Sequence, residues 1–324
     1  MIDGEDARAV SRPPTGQFEP AASGPGAAPV LLPALPPPRL VPRTVSAVID
    51  EGVRAVRRDI GLFTAAAALT VVPSHVLSLL FSTLFTPFNP LDPATYARVG
   101  DHAAITTDGT VTFVFTVVAA LCTLAITTLG TGALVTIAGL RTLGQPCTVG
   151  AAYAHARRRY GSLLAASLLS SIAVVALTVF TAFLGTPFAI FLYVGWQLAP
   201  QAIVLEGRRT GGGLARSLAL VRGMWWRMAG LRILVGILRL FAAAVPGGLG
   251  VLISGFTSSK DLLGGSVGTL ALAVVASLID VVMAPIAVTI STLFFTDLRL
   301  RKEGFDIDLL LQRGAAERAA LVTP

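Results

Sequence analysis

The sequence has only two cysteines, Cys122 and Cys147, and three histidines. Two thiols cannot build a disulfide framework, and no metal-ligand spacing surrounds them, so neither a metal site nor a cofactor is expected. Charge is scarce as well: Asp, Glu, Lys and Arg together make 13% of the chain, about half the share usual in soluble domains. The motifs of catalysis are missing too. There is no Walker loop, no His-Glu-x-x-His, no Gly-x-Ser-x-Gly and no paired acidic motif in a polar setting, so no catalytic residue is assigned and the protein reads as a non-enzyme. Gly211-Gly212-Gly213 lacks the lysine and preceding strand of a phosphate loop and reads as a flexible joint. Residues 1–38 lack the apolar core of a secretory signal, which leaves membrane insertion to the first spanning helix.

What the sequence has in abundance is apolar length. It is 54% hydrophobic with a mean hydropathy of +0.75, and six long apolar stretches cover residues 61–85, 111–140, 162–184, 187–205, 229–256 and 267–295. Each meets or approaches the roughly 20 residues that a helix needs to cross a bilayer core. They are continuously apolar, whereas a lipid-facing barrel strand alternates over about 10 residues, so the expected fold is all-α with six transmembrane helices.

The cations fix an orientation. Of the 25 Lys and Arg residues, all but Arg98, Lys260, Arg232 and Arg239 fall in the N-terminal region, the second and fourth gaps or the C-terminal tail. The positive-inside rule then places both termini in the cytoplasm. The net charge of +7 hugs helix ends and forms no aromatic-interleaved basic domain, which argues against nucleic acid as a partner.

The organisation is expected to be a Pro/Gly/Ala-rich disordered cytoplasmic tail over residues 1–43, a membrane domain over 44–304 and a C-terminal cytoplasmic tail over 305–324. Outer gaps are short, the longest being a proline-bearing loop over 86–110. Within the membrane domain a pattern recurs. Val45, Val48, Ile49, Val53, Val56 and Ile60 lie at helical spacing, with Arg54, Arg57 and Arg58 on the remaining surface. A milder stripe of Val149, Ala152, Tyr153, Ala156 and Tyr160 accompanies Arg157, Arg158 and Arg159 before the third stretch. A third, of Leu214, Leu218, Val221, Trp225 and Met228, accompanies Arg216, Arg222 and Arg227 before the fifth. The predicted unit is a basic amphipathic interfacial helix followed by a transmembrane hairpin, used three times. Its apolar faces are expected to dip into the cytoplasmic leaflet, with Tyr160, Trp225 and Trp226 at headgroup depth and the arginines on anionic headgroups.

Three ionisable residues stand away from the membrane surfaces: His75, Arg239 and Asp280. A charge at the bilayer centre costs at least about 2.5–3.5 kcal/mol, so such groups face the bundle interior and pair. Arg239 and Asp280 differ in expected depth by about 9 Å at a rise of 1.5 Å per residue, a gap that an arginine side chain nearly spans. An Arg239–Asp280 pair is therefore predicted, either as a clasp between two helices or, with His75, as part of a path for an ion, proton or solute. Pro73, Pro200, Pro246 and Pro285 are expected to interrupt four spans, as in the broken helices of transporters.

Finally, Trp196-Gln197-Leu198-Ala199-Pro200-Gln201-Ala202-Ile203-Val204-Leu205-Glu206-Gly207, Leu214-Ala215-Arg216-Ser217 and Leu220-Val221-Arg222-Gly223-Met224-Trp225-Trp226-Arg227 resemble the core of a bacterial multi-pass family. That family is labelled as the membrane domain of glycerophosphoryl diester phosphodiesterase. Asp297-Leu298-Arg299-Leu300-Arg301-Lys302-Glu303-Gly304-Phe305-Asp306 resembles its closing motif. The resemblance implies a membrane bundle to which some members append a soluble phosphodiesterase barrel. The present sequence leaves no room for that barrel, so no such activity is expected.

The strings that carry the resemblance fall at predicted cytoplasmic helix ends. Glu206, Arg216, Arg222, Asp297, Arg299, Arg301 and Glu303 are expected to form a charge network there, bracing the bundle or docking a protein partner. The first functional expectation is a scaffold or accessory protein that engages membrane lipid or a partner through its basic face. The alternative is a small transporter or permease using the proline-broken helices and intramembrane charges.

Overall fold

A computed structural model of the protein describes residues 44–85, 109–181, 184–256 and 266–303. The tails expected at 1–43 and 305–324 lie outside the described residues, as does most of the loop expected at 86–110. The helices in chain order are α1 (Val45–Arg58), α2 (Ile60–Phe85), α3 (Gly109–Thr142), α4 (Val149–Arg158) and α5 (Tyr160–Phe180), then α6 (Thr186–Gly195), α7 (Ala199–Leu205), α8 (Thr210–Val221), α9 (Trp225–Phe256) and α10 (Ser266–Glu303). No strand occurs among the described residues, and the protein is all-α.

Five segments, Ile60–Phe81, Phe113–Thr142, Tyr160–Val179, Thr186–Leu205 and Ala273–Glu303, are long and apolar enough to cross a membrane among the described residues. The remaining apolar stretch lies within α9. Large side chains such as Leu69, Val76, Phe113, Ile172, Val179, Leu240, Phe241 and Leu278 are exposed on the outer surface. Such a belt far exceeds the apolar patches that soluble monomers tolerate and suits a lipid surround.

The short basic helices α1, α4 and α8 form where the sequence pattern places them, and the first two are built alike. Thr44 and Thr148 are N-caps whose side chains each accept from the backbone N–H three residues on, Ala47 and Ala151, at 3.3 Å, satisfying a donor that the first turn would leave open. Arg57 and Arg58 close α1, and Arg157 and Arg158 close α4, where cations meet the negative end of the helix dipole. A single residue, Asp59 or Arg159, then separates each short helix from the long one that follows.

The third unit differs. Gly223, with φ of 82°, turns the chain after α8, and Trp225 and Met228 belong to α9 instead of continuing the expected stripe. The three glycines at 211–213 are not a flexible joint. They form the first turns of α8, where Gly213 packs on Ile203.

The apolar faces of these helices are covered by protein and not by lipid. Val48, Gly52 and Val56 of α1, Ala152 and Ala156 of α4, and Leu214, Leu220 and Val221 of α8 are all buried in the bundle. For α1 the cover is α10, whose Ile290, Leu293, Phe294, Phe295 and Leu298 are fully enclosed; α4 lies on α3, where Ala156 faces Gly132, and α8 lies on α7, where Gly213 faces Ile203. At Gly52 the backbone of α1 lies so close to α10 that an added Cβ would stand 2.5 Å from Ile290 Cγ1. Tyr160 and Trp225 also bond inward: Tyr160 Oη donates to Ala125 O at 3.1 Å and Trp225 Nε1 to Phe191 O at 3.2 Å. Trp226 is the exposed member of the aromatic set.

Proline breaks fewer helices than expected. The backbone of α2 runs through Pro73, that of α9 through Pro246 and that of α10 through Pro285. Around Pro73 two hydroxyls bond back to carbonyls of their own helix, Ser74 Oγ to Val71 O at 2.8 Å and Thr70 Oγ1 to Ala67 O at 3.3 Å. Only the segment before Pro200 opens: residues 196–198 form a turn between α6 and α7.

Candidate functional site: a polar cavity beside a broken helix

The break between α6 and α7 leaves main-chain groups without helical partners, and α8 supplies them. Ser217, fully buried, donates from Oγ to Gly195 O at 2.5 Å and accepts from Leu198 N at 3.1 Å. One hydroxyl thereby holds both sides of the opening. Gln197, Pro200 and Gln201 then line a cavity of about 380 Å³ that also meets Thr70, Ser74, Thr127, Thr131 and Ser291. Gln201 is 3% exposed and its Oε1 has no hydrogen-bond partner.

All three ionisable residues predicted to lie within the membrane, His75, Arg239 and Asp280, line this cavity. Asp280 of α10 joins them: its Oδ1 accepts from Arg239 Nη2 at 2.8 Å, and its Oδ2 lies 3.1 Å from His75 Nε2. The carboxylate thus ties α2, α9 and α10 together. From Gly236 to Phe241, α9 is exposed at every residue, so the Arg239 link is a point of attachment on an otherwise uncovered segment. Arg232, the other cation within the fifth stretch, lines the same cavity, with Nη2 3.0 Å from Tyr193 Oη.

The second expected constellation assembles where the long helices meet the short basic ones. Glu206, just past α7, receives a two-pronged contact from Arg216, Nε at 2.8 Å and Nη2 at 2.9 Å. The same guanidinium reaches Glu303, with Nη2 2.7 Å from Oε2 and a second, shorter contact from Nη1 to Oε1. Arg299 Nε lies 3.4 Å from both Glu206 Oε1 and Glu303 Oε2. Burial alone would disfavour the charged guanidinium of Arg216, but its hydrogen bonds to Glu303 and Glu206 outweigh that and raise its pKa above the usual arginine value. Asp297 is wholly buried and accepts from Arg301 Nε at 2.9 Å, one turn on in α10.

Arg222 enters this cluster differently from the expectation. Its side chain is exposed, and its main-chain carbonyl accepts from Lys302 Nζ at 2.6 Å. Lys302, which sequence reasoning missed, also donates to Ala219 O at 3.0 Å and so neutralises the open carbonyls at the end of α8. Ser217, Gln197 and Gln201 were missed as well. They lie within the strings Leu214–Ser217 and Trp196–Gly207 that carry the family resemblance, the one signal that could have pointed to them.

The family model that matches this chain is described as a domain of unknown function (DUF7847) and covers residues 169–298. That span includes Arg239, Asp280, Glu206 and Arg216 but excludes His75 and Glu303. Its description carries no link to the glycerophosphoryl diester phosphodiesterase membrane domain. No curated protein and no solved structure matches the chain.

Proposed function

We propose that the protein binds a small polar solute inside the membrane and serves as a transporter or permease. The observation that carries this reading is the convergence of His75, Arg239 and Asp280 on one cavity walled by hydroxyls and the amides of Gln197 and Gln201. A structural clasp between α9 and α10 needs the arginine and the carboxylate, and nothing more. It does not need a third ionisable group, a broken helix or an orphaned buried amide oxygen, all of which meet at the same place. At about 380 Å³ the cavity lies within the range of small-molecule sites. Its contents favour a solute with at least one hydrogen-bond donor for Gln201 Oε1 and a polar or charged group able to compete for Asp280 or Arg239.

The wider setting of this reading is a six-span protein of the bacterial plasma membrane with both termini in the cytoplasm and no catalytic activity of its own. The distribution of arginines supports that orientation. The strings that resemble the glycerophosphoryl diester phosphodiesterase membrane domain include the residues of the helix break and its Ser217 cradle, which supports a common membrane architecture. A second reading, a scaffold that engages anionic lipid or a protein, draws on the exposed Arg54, Arg57, Arg58, Arg157 and Arg158.

Water access decides between them. In a variant with Cys122 and Cys147 replaced by serine, Thr131→Cys places a thiol on the cavity wall. A solute-binding cavity predicts labelling by a small, charged, membrane-impermeant thiol reagent in liposomes. It also predicts that some member of a panel of amino acids, carboxylates, sugars and ammonium compounds stabilises the wild type but not Asp280→Asn. No labelling of the Thr131→Cys variant, together with no stabilising solute, would overturn the proposal.

A further inference from the structure

A second, larger cavity of about 600 Å³ lies between α1, the end of α3 and α10, apart from the site just described. Its wall carries three arginines: Arg54 and Arg58 from α1 and Arg141 from the last turn of α3. Two carboxylates, Glu51 and Asp59, also line it. Asp59 Oδ2 lies 3.5 Å from Arg141 Nε, an ion-pair distance that does not satisfy the nitrogen as a hydrogen bond. Arg54 and Arg58 form no ion pair among the described residues, and both are exposed.

The inner surface supplies an independent observation. Thr289 of α10 is 1% exposed and lines the cavity, yet its Oγ1 has no hydrogen-bond partner. Neighbouring hydroxyls on the same helix behave otherwise: Ser291, Thr292 and Thr296 each donate to a carbonyl of their own helix. A buried hydroxyl left open carries an uncompensated desolvation cost, and the orphaned Arg141 Nε on the same wall repeats the pattern. Phe63, Ala138 and Leu293 line the apolar part of the same space.

We propose that this cavity binds a phosphate-bearing anion, with Arg54, Arg58 and Arg141 as its cationic partners and the Thr289 hydroxyl as an inner donor. Guanidinium forks match phosphoryl oxygens in pairs. Three of them against two carboxylates, one already beside Arg141, leave an excess of one positive charge, which a monoanion neutralises. The volume exceeds what a bare phosphate needs, and the apolar residues favour an organic body attached to it. A lipid headgroup arriving from the bilayer and a soluble phosphate ester share this chemistry.

The test uses the full chain in detergent and in nanodiscs. One arm counts phosphatidylglycerol against phosphatidylcholine retained in native mass spectra. The other measures binding of glycerol 3-phosphate and of inorganic phosphate by calorimetry in phosphatidylcholine nanodiscs. Retention of phosphatidylglycerol alone identifies a headgroup, and calorimetric binding identifies a soluble ester; either supports the site. The double variant Arg54→Gln/Arg58→Gln, exposed and safe for folding, is expected to weaken the bound species about tenfold or more, as loss of charge-assisted hydrogen bonds does.

Thr289→Val removes only the orphaned hydroxyl. It is expected to weaken binding while leaving the ligand-free protein as stable as before or more so, a combination that a purely structural threonine would not give. Asp280→Asn should leave this binding unchanged, so failure of the solute cavity and failure of this site are separable. No phosphate species in either arm, or binding indifferent to the double variant and to Thr289→Val, overturns the proposal.

Discussion

Arg239 Nη2 and Asp280 Oδ1 stand 2.8 Å apart, and through them the outer part of α9 is held to α10. The same carboxylate meets His75 Nε2 at 3.1 Å with its other oxygen. A single acidic group therefore has two basic neighbours on two different helices, and the three helices depend on it jointly. Arg239 and Asp280 are also partly exposed, at 46% and 36% of their side chains, so the link can open without unpacking a core.

A double-mutant cycle measures that link. Arg239→Gln and Asp280→Asn are each expected to lower the thermal midpoint in lipid nanodiscs. The double variant should lose less than the sum, with a coupling of about 1 kcal/mol. His75→Ala alone should cost less than Asp280→Asn, because the Arg239–Asp280 contact survives it. Additive effects of Arg239→Gln and Asp280→Asn would show that the contact carries no stability.

Ser217 offers a sharper test of the helix break. Its hydroxyl satisfies Gly195 O and Leu198 N together, so Ser217→Ala leaves a buried acceptor and a buried donor open at once. A loss of about 2 kcal/mol or more is expected, with solute binding in the neighbouring cavity weakened because Gln197 and Gln201 follow the turn. Ser217→Cys should recover part of the loss, since a thiol is a weak donor of similar shape. Stability unchanged in Ser217→Ala would mean that water fills the place of the hydroxyl.

These two sites differ in how far the sequence reveals them. Arg239 and Asp280 are legible because a charge within an apolar run is costly wherever the helix lies, and helical rise alone sets their depths. The short helices α1 and α4 are legible for a related reason: a threonine cap, a helical stripe and a terminal pair of arginines are all local. Ser217 is not legible, since nothing in its neighbourhood announces a broken helix nineteen residues earlier. Pro73 and Pro285 mislead in the opposite direction, because a helix packed among other helices can run on past a proline. The stripe of α1 shows the same limit. Its spacing identifies an apolar face, but whether lipid or α10 covers that face depends on a helix more than two hundred residues away in sequence.

Gly52 turns that last point into a measurement. Helix propensity alone predicts that alanine at a mid-helix glycine stabilises by about 1 kcal/mol. At Gly52, however, the new Cβ would lie 2.5 Å from Ile290 Cγ1 and 3.4 Å from the Ile290 backbone. Ile290 is fully buried and branched, so it cannot swing aside, and overpacking of that kind costs about 1–3 kcal/mol. The clash outweighs the propensity, and Gly52→Ala should lower the thermal midpoint, with Gly52→Leu lowering it further. Gly61, near the start of α2, has nothing within 4 Å of its added Cβ, and Gly61→Ala should be neutral or mildly stabilising. Opposite signs at two glycines nine residues apart in sequence would place the apolar face of α1 against α10. If Gly52→Ala proved as harmless as Gly61→Ala, the stripe would face lipid after all, as its sequence pattern alone suggests.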